Sequence, residues 1–268
     1  MRGGDANRQA TRNGARLNIV TRTIDIYGGR DPRDVPAYSV VEAAGFLKLP
    51  TTTLRQWVNG QAYRTTKGQR RARPVIRIPG GRPPMLTFWS LAEAHVLAAI
   101  RREHGVSLQS VRRALEYVAR ELKHDRPLIG QDFLTDGVNL FVEKLEQMVD
   151  DDAGVRSLVN ASLHGQLAAR DLLQGALARV SRDTSGLIER IYPWVKDLKE
   201  PKRVEIDPRR AFGRPVVAGT RVPAEELSER FGAGDSLDDI ARDFRLTPDI
   251  VQGVLQWEMA RKQDAAAA

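Results

Sequence analysis

The residues best able to do chemistry in this sequence are lysines and arginines that lie together in one segment. Nine of them fall between Ala43 and Ala92, and that interval contains no Asp or Glu. A random arrangement of the same composition would place about six acids there. Cations without neighbouring carboxylates indicate a surface that faces an anion, and the phosphate backbone of a nucleic acid is the usual candidate. The alternative is a solvated basic loop without a ligand.

Two stretches of this segment supply candidate contacts to double-stranded DNA. The first, TTTLRQWVNG (51–60), is typical of a short helix with Leu54 and Trp57 on its apolar face. Polar side chains at the start of such a helix can reach base edges, and Arg55 can reach a phosphate or a guanine. The second is the arginine-rich stretch after it, where contacts to the backbone or minor groove are expected. The candidate DNA-binding residues are Thr52, Thr53, Arg55, Gln56, Tyr63, Arg64, Lys67, Arg70, Arg71 and Arg73.

A helix-turn-helix must position the first group of candidates. Ser39 followed by Glu42 is a capping box that predicts the start of a first helix. Thr51 or Thr52 is the predicted N-cap of the second helix, which ends at Asn59-Gly60.

A wing must position the second group. Val75, Ile76 and Ile78 predict one strand, Gly80-Gly81 a turn, and residues 85–89 the returning strand. A second capping box, Ser90 with Glu93, opens a further helix, and Ser107 begins another that runs to about residue 123. Residues 36–123 are therefore predicted to form one winged helix-turn-helix domain, after a disordered or extended tail at 1–35.

The middle of the chain, residues 124–200, is predicted to be a small α+β connector that serves dimerisation or a partner. Residues 137–145 and 155–162 favour two strands, 165–180 an amphipathic helix and 187–195 a third strand. The three consecutive acids at 150–152 could in principle hold Mg²⁺, but adjacent carboxylates on a turn usually form a solvated tip. No metal site is predicted.

The C-terminal segment, residues 201–262, has the outline of a second helix-turn-helix, followed by a tail at 263–268. Ser236 with Asp239 is a third capping box, and Thr247-Pro248 begins the last helix. The first two turns of that helix contain no Arg or Lys, and phosphates would repel Asp249. This unit is therefore predicted to contact protein rather than DNA. The fold class is α+β, mainly α.

Composition excludes several classes of protein. At 268 residues the chain has room for about two domains, and no apolar run approaches the ~18 residues of a membrane helix. The N-terminus has no secretory h-region and cysteine is absent, so we expect a cytoplasmic protein without disulfides or thiolate metal sites. The four histidines lack ligand spacing, and no nucleophile, metalloprotease or P-loop motif occurs. An enzyme and a cofactor are not predicted.

Net charge divides the chain. Residues 39–123 contain 15 Lys or Arg and 5 Asp or Glu, a net charge of +10, whereas residues 124–200 contain 9 and 13. The final 68 residues are nearly neutral, with 11 Lys or Arg and 12 Asp or Glu. The positive field therefore lies in one segment.

The N-terminal domain resembles the winged helix-turn-helix domain of MerR-type regulators over about 85 residues. The resemblance covers residues 38–60, the wing, and the stretch LTFWSLAEAHVLAAIRREHGVSLQSVRRAL that follows it. The match lies in Thr53-Leu54-Arg55 and Trp57. The sequence departs from that family at Gln56, where an aromatic residue is usual, and in its longer, arginine-rich wing. It also lacks the long coiled-coil helix and the cysteine ligands, so the resemblance does not extend to effector sensing.

The C-terminal motifs GRPVVAGTRVP, AGDSLDDIARDF and LTPDIVQGVL resemble a small helix-turn-helix family whose members are typically antitoxins. The whole chain resembles the larger VapB-type antitoxins. That resemblance implies a PIN-type ribonuclease toxin as partner, and a guanidinium could fill the carboxylate cluster of such an enzyme. Arg214 and Arg221 are the candidate toxin-binding residues, and bracing their own loop is the alternative role.

The sequence thus predicts a dimeric, DNA-binding antitoxin of a type II pair that represses its own operon. One alternative is a stand-alone MerR-like regulator with a partner- or ligand-binding C-terminal region. Another is a protein-binding adaptor in which the basic segment is incidental.

Overall fold

The computed structural model describes residues 27–65, 68–104, 107–134, 136–148 and 165–266. Within these ranges the chain is mainly helical with small antiparallel sheets, which confirms the predicted class. None of the described helices is both long and apolar enough to cross a membrane. The predicted tail at 1–35 lies mostly outside the described residues, but Pro32–Asp34 form a 3-10 turn and Arg33 is buried.

The helices are α1 (Val40–Phe46), α2 (Thr51–Asn59), α3 (Phe88–His104), α4 (Leu108–Glu121), α5 (Asp136–Glu146), α6 (Gly165–Leu177), α7 (Ala224–Gly232), α8 (Leu237–Phe244) and α9 (Pro248–Ala266). The strands form antiparallel pairs: β1 (Tyr38–Ser39) with β4 (Met85–Leu86), β2 (Ala62–Thr65) with β3 (Gly68–Arg71), β5 (Val180–Arg182) with β6 (Ile188–Ile191), and β7 (Val204–Glu205) with β8 (Val216–Val217).

Capping explains where the first helices begin. The Ser39–Glu42 box is confirmed, with both reciprocal hydrogen bonds present. Neither threonine caps α2: its N-cap is Pro50, and Thr51 is buried as the first residue of the helix. The predicted box at Ser90 is also wrong, because α3 begins two residues earlier and Ser90 N donates to Thr87 Oγ1 at 3.3 Å.

The predicted wing is placed differently. The hairpin consists of the polar strands β2 and β3, which pair Tyr63 with Arg70. Residues 75–78 form no strand. The backbone N–H groups of Val75 and Ile76 both donate to the carbonyl of Trp57, at 2.9 and 3.1 Å. That segment is apolar because it covers α2, and β4 pairs with β1 instead.

The middle segment is more helical than predicted. Residues 136–146 form α5 rather than a strand, because Val138, Phe141, Val142 and Leu145 recur at helical spacing and are all buried. The strand predicted at 155–162 lies outside the described residues. Helix α6 and strand β6 lie in the predicted ranges.

The C-terminal unit packs on the first helix of the chain. The rings of Phe46 and Trp257 lie 6.3 Å apart between centroids, and Lys48 Nζ donates to the Trp257 carbonyl at 2.7 Å. Helix α9 continues through Ala266, so the tail predicted at 263–268 is helical over its described part. Alanine has the highest helix propensity, which explains the extension into the alanine-rich terminus.

Candidate nucleic-acid interface

Helix α2 is held by one apolar face and exposes the other. Leu54 and Trp57 are 0% and 1% exposed, as their spacing predicts. Thr52, Arg55 and Gln56 are exposed, at the i, i+3 and i+4 positions of one helix face, whereas Thr53 is half-buried. Three of the four predicted contacts therefore share a single surface, and Thr53 lies at its edge.

The wing follows α2 directly through Gly60, whose φ is 73°. A Cβ at this glycine would lie 2.1 Å from the carbonyl oxygen of Ala72, so a side chain has no room at this junction. Ala72 N in turn donates to the carbonyl of Gln61 at 2.8 Å. These contacts fix the base of the hairpin against the end of α2.

The predicted wing contacts fall into two groups. Tyr63, Arg64 and Arg70 have described backbone in β2 and β3, but their side chains, and Lys67 as a whole, lie outside the described residues. Arg71 and Arg73 are exposed, and neither guanidinium forms a hydrogen bond or ion pair within the described part of the chain.

Not every cation of the basic segment faces solvent. Lys48 is 6% exposed and lies 4.2 Å from the ring centroid of Trp257, so it belongs to the contact between α1 and α9. Arg77 pairs with Asp125 at 3.3 Å. Arg55, Arg71, Arg73 and Arg82 are exposed and without an ion pair among the described residues. The unpaired positive charge of this segment's described residues therefore lies on α2, on β3 with the residues just after it, and at Arg82 before β4.

The second helix-turn-helix outline has the opposite character. Helices α7 and α8 expose a series of carboxylates: Glu225, Glu226, Glu229, Asp238, Asp239 and Asp243. At the start of α9, Asp249 is exposed and forms an ion pair with Arg203. Asp239 and Asp243 are paired with Arg242 and Arg230, but the three glutamates and Asp238 have no ion pair among the described residues and would repel a phosphate backbone.

The two arginines proposed for the toxin are both exposed. Arg214 follows β7 and precedes β8, and Arg221 lies beyond the turn after β8. Neither forms an ion pair with any described carboxylate, so the alternative of bracing their own loop has no contact to support it.

Sequence reasoning missed the aromatic residue beside Arg214. Phe212 is 70% exposed and has φ 56° and ψ 32°, a left-handed conformation that is unusual outside glycine. Its neighbours Ala211 and Gly213 also have positive φ. A Cβ on Gly213 would lie 2.2 Å from the Tyr38 hydroxyl, so only glycine fits there. The sequence does place Phe212 between Arg210 and Arg214, and an aromatic residue between two cations is the pattern that could have indicated an exposed binding loop.

The acids at 150–152 lie outside the described residues. In the parts of the chain that the structure describes, no group of three or more potential metal ligands converges.

Comparisons with known proteins address the two helix-turn-helix outlines and the whole chain. Residues 36–115 match a family model described as "Putative DNA-binding HTH domain", and residues 204–257 match one described as "Protein of unknown function (DUF433)". The crystal structure of Rv2018 from Mycobacterium tuberculosis has 27% sequence identity and a TM-score of 0.60, and the match covers 83% of this chain and 98% of that one.

Two proteins of Mycobacterium tuberculosis (strain ATCC 25618 / H37Rv) are similar along most of their length. "Uncharacterized protein Rv2308" is 25% identical over 84% of this chain and 90% of its own. "Putative antitoxin VapB45" is 31% identical over 230 residues, which are 83% of this chain and 93% of that protein. At that identity and coverage, the chain belongs to the same family as the protein named VapB45.

Proposed function

We propose that the protein is the antitoxin of a type II pair, which binds the DNA of its own operon and neutralises a PIN-type ribonuclease. The observation that carries the DNA-binding half is the acid-free segment, whose unpaired arginines lie on α2 and its neighbouring segments. The match of residues 36–115 to a DNA-binding helix-turn-helix model supports the same placement. The antitoxin half is supported by the name of the relative VapB45. No catalytic reaction is assigned.

In this proposal α2 is the recognition helix of a MerR-like winged unit. Thr52, Arg55 and Gln56 face base edges in the major groove, because they share the exposed side of the helix. Arg71 and Arg73, with Tyr63, Arg64, Lys67 and Arg70 of the wing, contact the backbone on either side. Binding at the promoter would exclude RNA polymerase and repress the operon.

The toxin is proposed to dock on the loop that contains Phe212 and Arg214. Aromatic residues, including Phe, and Arg are both enriched at protein interfaces, and this loop exposes one of each. Positive φ at the non-glycine residues Ala211 and Phe212 carries a conformational cost, and such strained positions cluster at functional sites. Arg214 and Arg221 suit an acidic surface such as the carboxylate cluster of a PIN-type ribonuclease.

The runner-up is a stand-alone regulator whose C-terminal unit binds a ligand or another partner. This alternative has the same DNA-binding function and differs only in the partner that binds the loop containing Phe212. The toxin experiment below separates the two.

DNA reading by α2 is tested by titrating the protein on its own promoter and on a random duplex. Gln56→Ala and Arg55→Ala should each reduce the ratio of specific to non-specific affinity, by about 1–3 kcal/mol per lost base contact. Arg82→Ala, which removes an unpaired cation outside α2 and the wing, is the control and should leave that ratio unchanged. An unaltered ratio in both α2 variants would place sequence reading elsewhere.

Toxin binding is tested by co-expression with the product of the neighbouring gene, which the proposal requires to be a PIN-type ribonuclease. The wild type should restore growth and co-purify with the toxin, whereas Phe212→Ala combined with Arg214→Ala should lose both. Phe231→Ala, which removes an aromatic side chain of 47% exposure on α7, is the matched control and should behave as wild type. If wild type fails to co-purify, the stand-alone regulator is favoured.

A further inference from the structure

Arg112 on α4 has no partner for two of its buried nitrogens. Its Nε and Nη2 are inaccessible to solvent and have no hydrogen-bond partner within the described part of the chain. Arg112 as a whole is half-buried, but two buried N–H groups without an acceptor lower the stability of the fold. A sequence retains such a group at a cost, which suggests that its partner is a ligand rather than another residue.

Arg112 lies where two grooves meet. One groove, of about 500 Å³, runs between α4 and the segment that follows the wing. Arg71, Arg73 and Arg113 also line it. The other, of about 710 Å³, lies on the far side of Arg112 under residues 73–78. Both volumes are in the range of small-molecule sites.

The charges around this position favour an anion. Arg71 and Arg73 are exposed and have no ion pair among the described residues. Glu116, one turn after Arg112, lines both grooves, but it does not accept a hydrogen bond from either buried nitrogen. Glu93 and Asp125 line only the second groove, and they pair with Arg126 and Arg77 respectively. The groove beside the wing is thus lined by guanidiniums with a single carboxylate.

We propose that the groove between the wing and α4 is a phosphate-binding site in which Arg112, Arg71 and Arg73 hold the anion. Guanidiniums pair with phosphate oxygens in bidentate fashion. Three guanidiniums carry three positive charges, so a phosphate group with up to about two negative charges suits them better than a carboxylate with one. Arg112 already lines this groove, and the proposal requires only that its side chain rotate to expose Nε and Nη2, to which no hydrogen bond is formed within the described part of the chain. The phosphate belongs either to the DNA backbone or to a free phosphorylated molecule. Because Arg71 and Arg73 are also the proposed backbone contacts beside the wing, the DNA case rests on the proposed function, whereas a free phosphorylated ligand does not.

The test uses pyrophosphate as the probe and Arg112→Met as the variant, because methionine fills a similar volume without charge. In chloride buffer we expect the variant to melt at a higher temperature than wild type, since two buried N–H groups without an acceptor have been removed. Pyrophosphate at matched ionic strength should raise the melting temperature of wild type and leave that of the variant unchanged. Arg120→Met, at an exposed position on the same helix, is the control and should keep the full pyrophosphate response.

A second variant tests the site without altering buried residues. Arg71→Ala should weaken pyrophosphate binding about tenfold by isothermal titration calorimetry, the loss of one charge-assisted pair. The proposal is overturned if pyrophosphate does not bind wild type, or if both variants bind pyrophosphate as wild type does.

The two sources of phosphate are separated with duplex DNA. If the phosphate is that of DNA, Arg112→Met should reduce the dependence of log affinity on log salt by about one unit. If that slope is unchanged while pyrophosphate binding is lost, the site takes a free phosphorylated ligand.

Discussion

Individual residues decide which cations of the basic segment can meet DNA. Counting from the sequence correctly identified a segment without acids, but it treated Lys48 and Arg55 alike. The structure separates them: Lys48 is buried under Trp257, whereas Arg55 is exposed on α2. This distinction depends on the long-range contact between α1 and α9, which no local pattern contains. Fewer cations are therefore available to an anion than the charge count implies.

Lys48→Ala should lower stability without changing DNA affinity, whereas Arg55→Ala should lower DNA affinity without changing stability. Loss of Lys48 removes the hydrogen bond to the Trp257 carbonyl and the cation–π contact, so we expect about 1–3 kcal/mol less stability in urea unfolding. Its affinity for DNA should be unchanged under conditions where both proteins are folded. Arg55→Ala should unfold like wild type and bind the promoter less tightly. A DNA defect in Lys48→Ala without loss of stability would contradict the assignment.

Glu93 should make stability depend on pH. Burial raises the pKa of its carboxyl to about 7, even though Arg126 and Arg77 act to lower it. Between its unfolded value of about 4.5 and 7, the folded protein binds more protons at this site than the unfolded chain, so this contribution to stability increases as pH falls through 7. Denaturant unfolding from pH 5 to 8 should show wild type gaining stability relative to Glu93→Gln as pH decreases, by up to about 3 kcal/mol. A constant difference between the two proteins would show that Glu93 keeps one ionisation state.

At the scale of elements, the sequence predicted the helices better than the strands. The Ser39 and Ser236 caps and the Gly60 end of α2 are local signals, and the structure has all three. The wing was misplaced because β2 and β3 are polar and do not alternate, whereas the apolar segment 75–78 packs on α2 without forming a strand. Helix α5 was taken for a strand because its β-branched and aromatic residues outweighed their helical spacing. Tertiary packing, not propensity, determined both outcomes.

The junction between α2 and the wing is tested by Gly60→Ala. Gly60 and Gly68 both have positive φ, but only at Gly60 would a Cβ meet backbone, 2.1 Å from the Ala72 carbonyl oxygen. Gly60→Ala should therefore destabilise the fold by more than the roughly 1 kcal/mol expected from φ strain alone in Gly68→Ala. Thermal unfolding of the two variants provides the measurement. Equal losses would mean that the wing moves freely relative to α2.

The whole molecule separates its two proposed partners by charge. The basic segment lies at α2 and after it, while α7 and α8 expose carboxylates. Contacts between α1 and α9 join the two units. The partner itself was implied by resemblance alone, because no pattern of charge or spacing identifies a ribonuclease.

A dimer is expected at this scale, because a single helix-turn-helix seldom binds tightly enough alone and half-sites repeat about one helical turn apart. Light scattering of the complex with promoter DNA should give two chains per duplex. One chain per duplex at saturation would require a second DNA-binding surface on the same chain.

DNA is proposed to bind at α2 and the wing and not at the C-terminal unit. Promoter affinity should be titrated at several salt concentrations for wild type, Arg70→Ala/Arg71→Ala and Arg214→Ala/Arg221→Ala, which each remove two positive charges. The wing variant should bind all sequences more weakly, with a slope of log affinity against log salt shallower by about two units. The C-terminal variant should keep the wild-type slope. An unchanged slope in the wing variant, or an equal loss in both, would contradict the account.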